Sequence, residues 1–260
     1  MQARPELSVI IPAYNEERRI AASLVRLIDY LAAHGGSAEV LVVDDGSGDR
    51  TGAIVEQLAA ARGTADGSGA TVRLLRNGRN RGKGYSLKHG VLSASGEFLL
   101  LSDADFSTPI EELPALLDPV RSGACGIAIG SRGLDTSKVE LHQPAWREAM
   151  GKVFNRFVRA LTGLPYRDTQ CGFKVMRRED VLPLFRAARI ERFAYDVEIL
   201  YLARMAGIRV SEIPVIWRDA PGTKVNALLD SADMLKDILR VVWRGRRGRY
   251  GSLDRSGGAS

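Results

Sequence analysis

Phe98–Asp105 reads FLLLSDAD. Four apolar residues run straight into a serine and two carboxylates. A short continuous apolar run is the mark of a strand buried on both faces, and such strands belong to parallel sheets covered by helices. The same order recurs upstream. Leu7–Ile11 (LSVII) precedes Ala13–Glu16 (AYNE), and Val40–Val43 (VLVV) precedes Asp44–Ser47 (DDGS). Between them, Ile20, Leu24, Leu27 and Leu31 repeat at the spacing of a helix face. Ile54, Val55 and Leu58 predict a second helix, Val72–Leu75 a third strand, and Gly84–Ser95 a third helix.

Further along, Thr108, Pro109 and Glu111 have the form of a helix start closed by a capping box. Gly126–Ile129 predicts a strand. Trp146, Met150, Val153, Phe157 and Leu161 predict an amphipathic helix. Cys171–Met176 and Arg209–Trp217 read as strands around a helix near residues 197–206. The expectation is an α/β fold with a Rossmann-like, mostly parallel central sheet flanked by helices on both faces. Polar residues after the strands should then line one crevice.

The 260 residues carry a net charge of +6. Six arginines and one acid lie between Arg240 and Ser260, so this end holds +5 and leaves +1 for everything before it. A nucleic-acid-binding domain more often carries its charge on the folded body, and no nucleic acid is expected as a partner. Residues 1–244 read as one catalytic domain, and 245–260 as a basic, disordered tail. No apolar run reaches the length of a membrane span, and the N-terminus has no signal-peptide core. The expected location is cytoplasmic, with peripheral contact on the cytoplasmic face of a membrane. A helix from about Ser231 to Arg244, with Leu228, Ala232, Leu235, Leu239 and Val242 in register and Ile238, Val241 and Trp243 widening the apolar surface, has two readings. It either packs on the domain or anchors to anionic lipid through the arginines after it. Cys125 and Cys171 are far apart and read as reduced thiols.

Asp103-Ala104-Asp105 is the leading chemical signal. Two carboxylates one residue apart at a strand end can meet one hard cation, Mg²⁺ or Mn²⁺. Gly46, Gly48 and Gly52 imitate a dinucleotide fingerprint, but the last spacing is one residue too long, and Asp44 and Asp45 sit where a pyrophosphate would need bare N–H groups. Gly82-Lys83-Gly84 is not a P-loop, since no Ser or Thr follows the lysine. Lys83, between glycines, remains a candidate phosphate contact.

Ser8–Glu16 (SVIIPAYNE), Val42–Ser47 (VVDDGS), Asn80–Gly84 (NRGKG) and DAD occur in this order in family-2 glycosyltransferases of the GT-A fold, which the chain resembles. Gly130–Arg132, Asp168–Lys174 (DTQCGFK), Phe193–Glu198 (FAYDVE) and Glu212–Trp217 (EIPVIW) resemble the dolichyl-phosphate (polyprenyl-phosphate) β-glucosyltransferases. The dolichyl-phosphate mannose synthases are near relatives. The resemblance implies that Pro12, Tyr14, Glu16, Val42 and Asp44 hold the nucleotide. Asp103, Ala104 and Asp105 would hold donor phosphates and the metal, with Asp105 the principal ligand. Arg132, Arg218 and Lys224 would contact the donor diphosphate or the acceptor phosphate, and Arg147 is a further candidate for the acceptor phosphate. Asp105, Asp196 and Arg132 are the expected catalytic residues. In relatives that glycosylate hydroxyls, an acid near Asp196 is the base. A phosphate acceptor is already an anion, so the spacing Asp196-x-Glu198 is read as orienting Arg147 or Arg132 in preference to supplying a base, which stays the alternative.

The implied reaction is inverting transfer of a hexose, glucose from UDP-glucose being favoured, to a polyprenyl phosphate. GDP-mannose as donor and a soluble hydroxyl acceptor are the alternatives. A nucleotidyltransferase would need a glycine-rich loop where PAYNE stands.

Overall fold

A computed structural model describes residues 4–34, 36–62, 70–134, 139–141, 145–218, 227–251 and 253. The strands are β1 (Leu7–Ala13), β2 (Ala38–Asp44), β3 (Thr71–Arg76), β4 (Phe98–Leu101), β5 (Ile127–Ser131), β6 (Val139–Leu141), β7 (Lys174–Arg177), β8 (Val210–Pro214) and β9 (Trp217–Arg218). The helices are α1 (Ile20–His34), α2 (Thr51–Arg62), α3 (Lys83–Ser93), α4 (Leu113–Arg121), α5 (Ala145–Thr162), α6 (Arg178–Ala187), α7 (Tyr195–Met205) and α8 (Ala227–Arg246). Seven strands form one sheet in the order β3-β2-β1-β4-β7-β5-β8, and β6 pairs with β9 in a second.

Every strand of the large sheet runs parallel except β7, which is antiparallel to both β4 and β5. Alternate residues feed opposite layers. Val9, Ile11, Phe98 and Leu100 pack under α1, α2 and α4. Ile10, Leu99 and Leu101 pack under α3, α6 and α7. Burial on both faces is why these strands are apolar throughout, and each such side chain contributes about 1.5–3 kcal/mol.

Register decides where the loops go. Ala13 lies opposite Asp44, and Ile10 opposite Leu101. The loops after β1, β2 and β4 therefore leave from the same edge of the sheet. Because β7 runs against its neighbours, its amino end reaches that edge too, with Lys174 opposite Leu101.

Several expectations are corrected. No side-chain cap forms near Thr108. Glu111 instead accepts two bonds from Arg26 of α1, at 3.0 and 2.8 Å, and a 3-10 turn at Ile110–Glu112 leads into α4. The strand expected over Arg209–Trp217 divides between the two sheets, as β8 and β9. The strand expected from Cys171 starts at Lys174, and α6 follows it directly. The buried face of α8 is Met234, Ile238 and Val241, while Leu235 and Leu239 point outward. Val242 is buried beside that face, and Trp243 is exposed with Leu235 and Leu239, so the apolar stripe read in the sequence divides between core and surface. Leu228 and Ala232, named with them, lie outside the residues whose side chains are described. The helix continues past residue 244 to Arg246, and Tyr250 beyond it is 6% exposed. Among the described residues, no helix is long and apolar enough to cross a membrane.

Candidate active site

The site begins with two loops tied together. Asn15, at φ 54°, adopts a left-handed conformation that asparagine tolerates better than most residues. Its N–H donates to Ser47 Oγ (2.9 Å), and its Oδ1 accepts from the Gly48 N–H (2.8 Å). The Glu16 N–H donates to Thr51 Oγ1 (2.7 Å). The PAYNE and DDGS segments thus fold as one surface.

The tandem acids after β2 have separate tasks. Asp44 Oδ1 accepts the Ser47 N–H (2.9 Å), closing its own turn. Asp45 accepts from Asn77 Nδ2 (2.7 Å) and from the N–H groups of Arg81 (2.9 Å) and Gly82 (2.7 Å). It moors the loop that delivers Lys83 as the first residue of α3. Gly82, at φ 107°, is held where an added Cβ would strike the Glu191 carbonyl, so only glycine fits.

These loops and the DAD turn enclose a cleft of about 290 Å³ lined by Pro12, Tyr14, Glu16, Asp45, Lys83, Asp103, Ala104 and Asp105, among others. Lys83 Nζ lies 2.5 Å from Asp103 Oδ1. Burial pushes the Asp103 carboxyl up, but Lys83, with help from Lys174 and Arg132, leaves it below its ordinary value. Asp105 goes the other way, raised by burial and then by the charge of Asp103. Its Oδ1 accepts the Ser107 N–H and hydroxyl, both at 3.0 Å, and its Oδ2 is 3.8 Å from Arg19. The two carboxylates repel, and a divalent cation between them would relieve that repulsion. Their oxygen donors suit Mg²⁺ or Mn²⁺. Among the described residues, no cluster of three or more His, Cys, Asp or Glu is present. The other coordination positions would fall to phosphate oxygens and water.

Behind the cleft lie two more ion pairs. Arg132, after β5, grips Asp168 through Nε (2.6 Å) and Nη2 (3.0 Å), and its guanidinium lies 5.4 Å from the centre of the Trp217 ring. Asp168 is itself fixed by the Glu212 carboxylate, which accepts its N–H at 2.7 Å. Lys174 Nζ donates to Asp196 Oδ1 and to the Cys171 carbonyl, with 2% and 5% of the lysine and aspartate side chains exposed.

The last pair corrects the reading of Asp196 as a partner of Arg132, which is taken by Asp168. Glu198 does not orient an arginine side chain either. It accepts the N–H groups of Arg189 (2.9 Å) and Ile190 (2.8 Å) and the hydroxyl of Tyr250 (2.7 Å). Val42 is fully buried in the core below the cleft. The Arg218 N–H donates to the Ser107 carbonyl (2.9 Å), which brings β9 beside the DAD turn. Lys224 lies outside the described residues, as does the side chain of Arg147.

Sequence reasoning passed over Arg19 and Arg192 and gave Asp45 and Phe193 no role of their own, though all four line the cleft. It also passed over Lys174. A lone lysine inside the apolar run CGFKVM was the available signal, since an isolated ammonium is not buried without a partner.

The same arrangement of sheet and helices occurs in glucosyl-3-phosphoglycerate synthase from Mycobacterium tuberculosis in complex with uridine diphosphate. The TM-score is 0.66 at 19% identity, over 92% of this chain and 80% of that one. A structure of that synthase with Mn²⁺, UDP-glucose and phosphoglyceric acid superposes with a TM-score of 0.64 at 18% identity, over the same shares. At such identities the likeness is one of fold, and that fold is GT-A. Residues 8–185 match the family model described as Glycosyl transferase family 2, and the chain belongs to that family. It is 35% identical over 247 residues to dolichyl-phosphate beta-glucosyltransferase of Dictyostelium discoideum, covering 92% of this chain and 74% of the relative. It is 33% identical over 249 residues to the Homo sapiens protein of the same name, covering 92% and 75%.

Proposed function

We propose that the chain transfers glucose from UDP-glucose, with inversion, to a dolichyl or other polyprenyl phosphate. The main support is a cleft edged by cations, together with relatives of that name at 33–35% identity over most of the chain. Cleavage at sugar C1 leaves a nucleoside diphosphate with growing negative charge, and stabilising that charge is the principal catalytic task. Lys83 stands at the amino end of α3, where the helix dipole adds to its charge. Arg218 emerges beside the DAD turn. A divalent cation on Asp103 and Asp105, when bound, would neutralise the departing diphosphate.

The acceptor phosphate, with a second pKa near ~6, is already anionic at neutral pH. It needs positioning by Arg132 rather than deprotonation. The burial of Asp196 against Lys174 agrees with a reaction that uses no carboxylate base there.

Membrane contact belongs to the same proposal. Leu235, Leu239 and Trp243 of α8 and Val153 and Phe157 of the adjoining α5 are exposed apolar side chains, and Arg246 and Arg247 follow. Such a face suits peripheral contact with anionic lipid.

The test is a thermal-shift panel of nucleotide sugars with and without Mn²⁺, followed by transfer of labelled sugar to a short-chain polyprenyl phosphate. A shift confined to UDP-glucose with metal, and a labelled lipid product, is the expected result. A shift with GDP-mannose alone would move the assignment to mannosyl transfer, and labelling of a soluble hydroxyl acceptor instead would overturn the lipid acceptor.

A further inference from the structure

Four charged side chains from four segments meet behind the DAD turn. Lys83 opens α3, Asp103 follows β4, Lys174 opens β7 and Asp196 lies in the first turn of α7. They form two ion pairs, Lys83 with Asp103 and Lys174 with Asp196. The pairs are not independent. The first turn of α3 packs directly on Tyr195, the neighbour of Asp196, since a Cβ on Gly84 would strike the Tyr195 Cβ. The ammonium of Lys83 lies 5.9 Å from the centre of the Tyr195 ring. Asp196 acts on Lys83 electrostatically, and Lys174 acts on Asp103.

We propose that Lys174 is a positioning residue, whose ammonium occupies Asp196 so that Lys83 stays on the Asp103 side of the cleft, facing the donor phosphates. Removing one partner of a buried ion pair leaves an uncompensated charge, which a second cation within reach relieves. Without Lys174, the other lysine within the field of Asp196 is Lys83. The antiparallel run of β7 puts Lys174 there, opposite Leu101, two residues before Asp103. The second bond of its ammonium, to the Cys171 carbonyl, holds the Cys171–Gly172 turn against Asp103. Lys174 is 1% exposed and makes no approach to the cleft surface, so it acts through Asp196 and this turn rather than on substrate.

This inference rests on the glycosyl-transfer reading of the cleft, but not on which sugar or acceptor is used. It is tested in the full chain with Lys174→Met, Asp196→Asn and the double variant, by measuring kcat and KM for the nucleotide sugar and its affinity without acceptor. Lys174→Met should raise KM and weaken donor affinity by about tenfold or more. Removing both charges should return donor affinity to within about threefold of the unmutated chain. Asp196→Asn alone should be the mildest change. Equal impairment in Lys174→Met and the double variant would overturn the proposal. So would loss of kcat in Asp196→Asn with donor KM unchanged, which would make Asp196 the base. Should Lys174→Met not fold, the double variant decides alone, because poor donor affinity in a folded double variant also overturns it. If the unmutated chain binds no nucleotide sugar, the functional reading falls as well. If it binds one and the variants disobey, only the role of Lys174 falls.

Discussion

Lys83 Nζ sits 2.5 Å from Asp103 Oδ1, whereas Asp105 takes its two 3.0 Å hydrogen bonds from Ser107. The two acids of the DAD turn are therefore unequal. Asp103 already holds a cation of the protein, and Asp105 carries a carboxyl raised by burial and by its neighbour. An added cation gains most from Asp105.

Asp105→Asn should accordingly lower kcat/KM by at least about a hundredfold, as loss of a charge on a metal-assisted leaving group does. Asp196→Asn should keep activity within about tenfold of the unmutated chain, since a phosphate acceptor needs no general base. Steady-state kinetics on both variants check this. Equal losses would mean that Asp196 accepts a proton after all.

The Arg132–Asp168 pair predicts an acid limb in stability. The Arg132 guanidinium holds the Asp168 carboxyl down, against burial, at about 2, from an ordinary 3.8. An acid depressed in the folded state adds stability that is complete above its unfolded value. That stability fades as pH falls through 3.8 toward 2. The contribution is about 2 kcal/mol at neutral pH. Melting temperature followed from pH 6 to pH 2 should fall less steeply in Asp168→Asn, which is already destabilised at neutral pH. Parallel curves would show that the pair gives no such stability.

Gly172 supplies a steric prediction. An added Cβ there would overlap the Asp103 carboxylate. Gly172→Ala must therefore displace Asp103 or the turn beneath it. A shift of about 1 Å at a reacting centre costs on the order of a hundredfold in rate. The expected result is a large loss of kcat/KM with a melting temperature lowered by only a few degrees. Full activity in Gly172→Ala would mean that the position of Asp103 is not critical.

Much of this arrangement was legible in the amino-acid order. The apolar runs before AYNE, DDGS and SDAD specify strands buried on both faces, and parallel register carries their polar ends to one edge. What escaped depends on direction and on long-range partners. Nothing local in CGFKVM states that β7 runs backwards, yet that reversal alone brings Lys174 to the DAD turn. Asp44 and Asp45 are indistinguishable as neighbours in sequence. Only the approach of the Arg81–Gly82 backbone gives Asp45 its mooring role. Thr108, Pro109 and Glu111 fit a capping box locally, but the glutamate pairs with Arg26 of another helix.

The C-terminal end tests the membrane proposal, and the buried Tyr250 dictates how. Its hydroxyl donates to Glu198, a fully buried carboxylate in α7, at 2.7 Å. Truncation after Val242 would remove this partner and leave a buried acceptor short of a bond, which costs about 1–3 kcal/mol. A truncated chain would then bind liposomes poorly for reasons of folding alone. Point changes on the outer face avoid this. Leu239 and Trp243 are 50% and 45% exposed, so Leu239→Glu and Trp243→Glu should leave the melting temperature nearly unchanged. Both should weaken sedimentation with anionic vesicles. Arg246→Ser with Arg247→Ser should do the same by about 1 kcal/mol per arginine, and the loss should vanish on neutral vesicles. Tyr250→Phe should instead lower stability by about 1 kcal/mol and leave vesicle binding intact. Vesicle binding unchanged by all four surface changes would refute membrane contact through α8. Separate loss of stability and of lipid binding is the pattern expected if one end of this helix locks into the domain while its outer face meets the membrane.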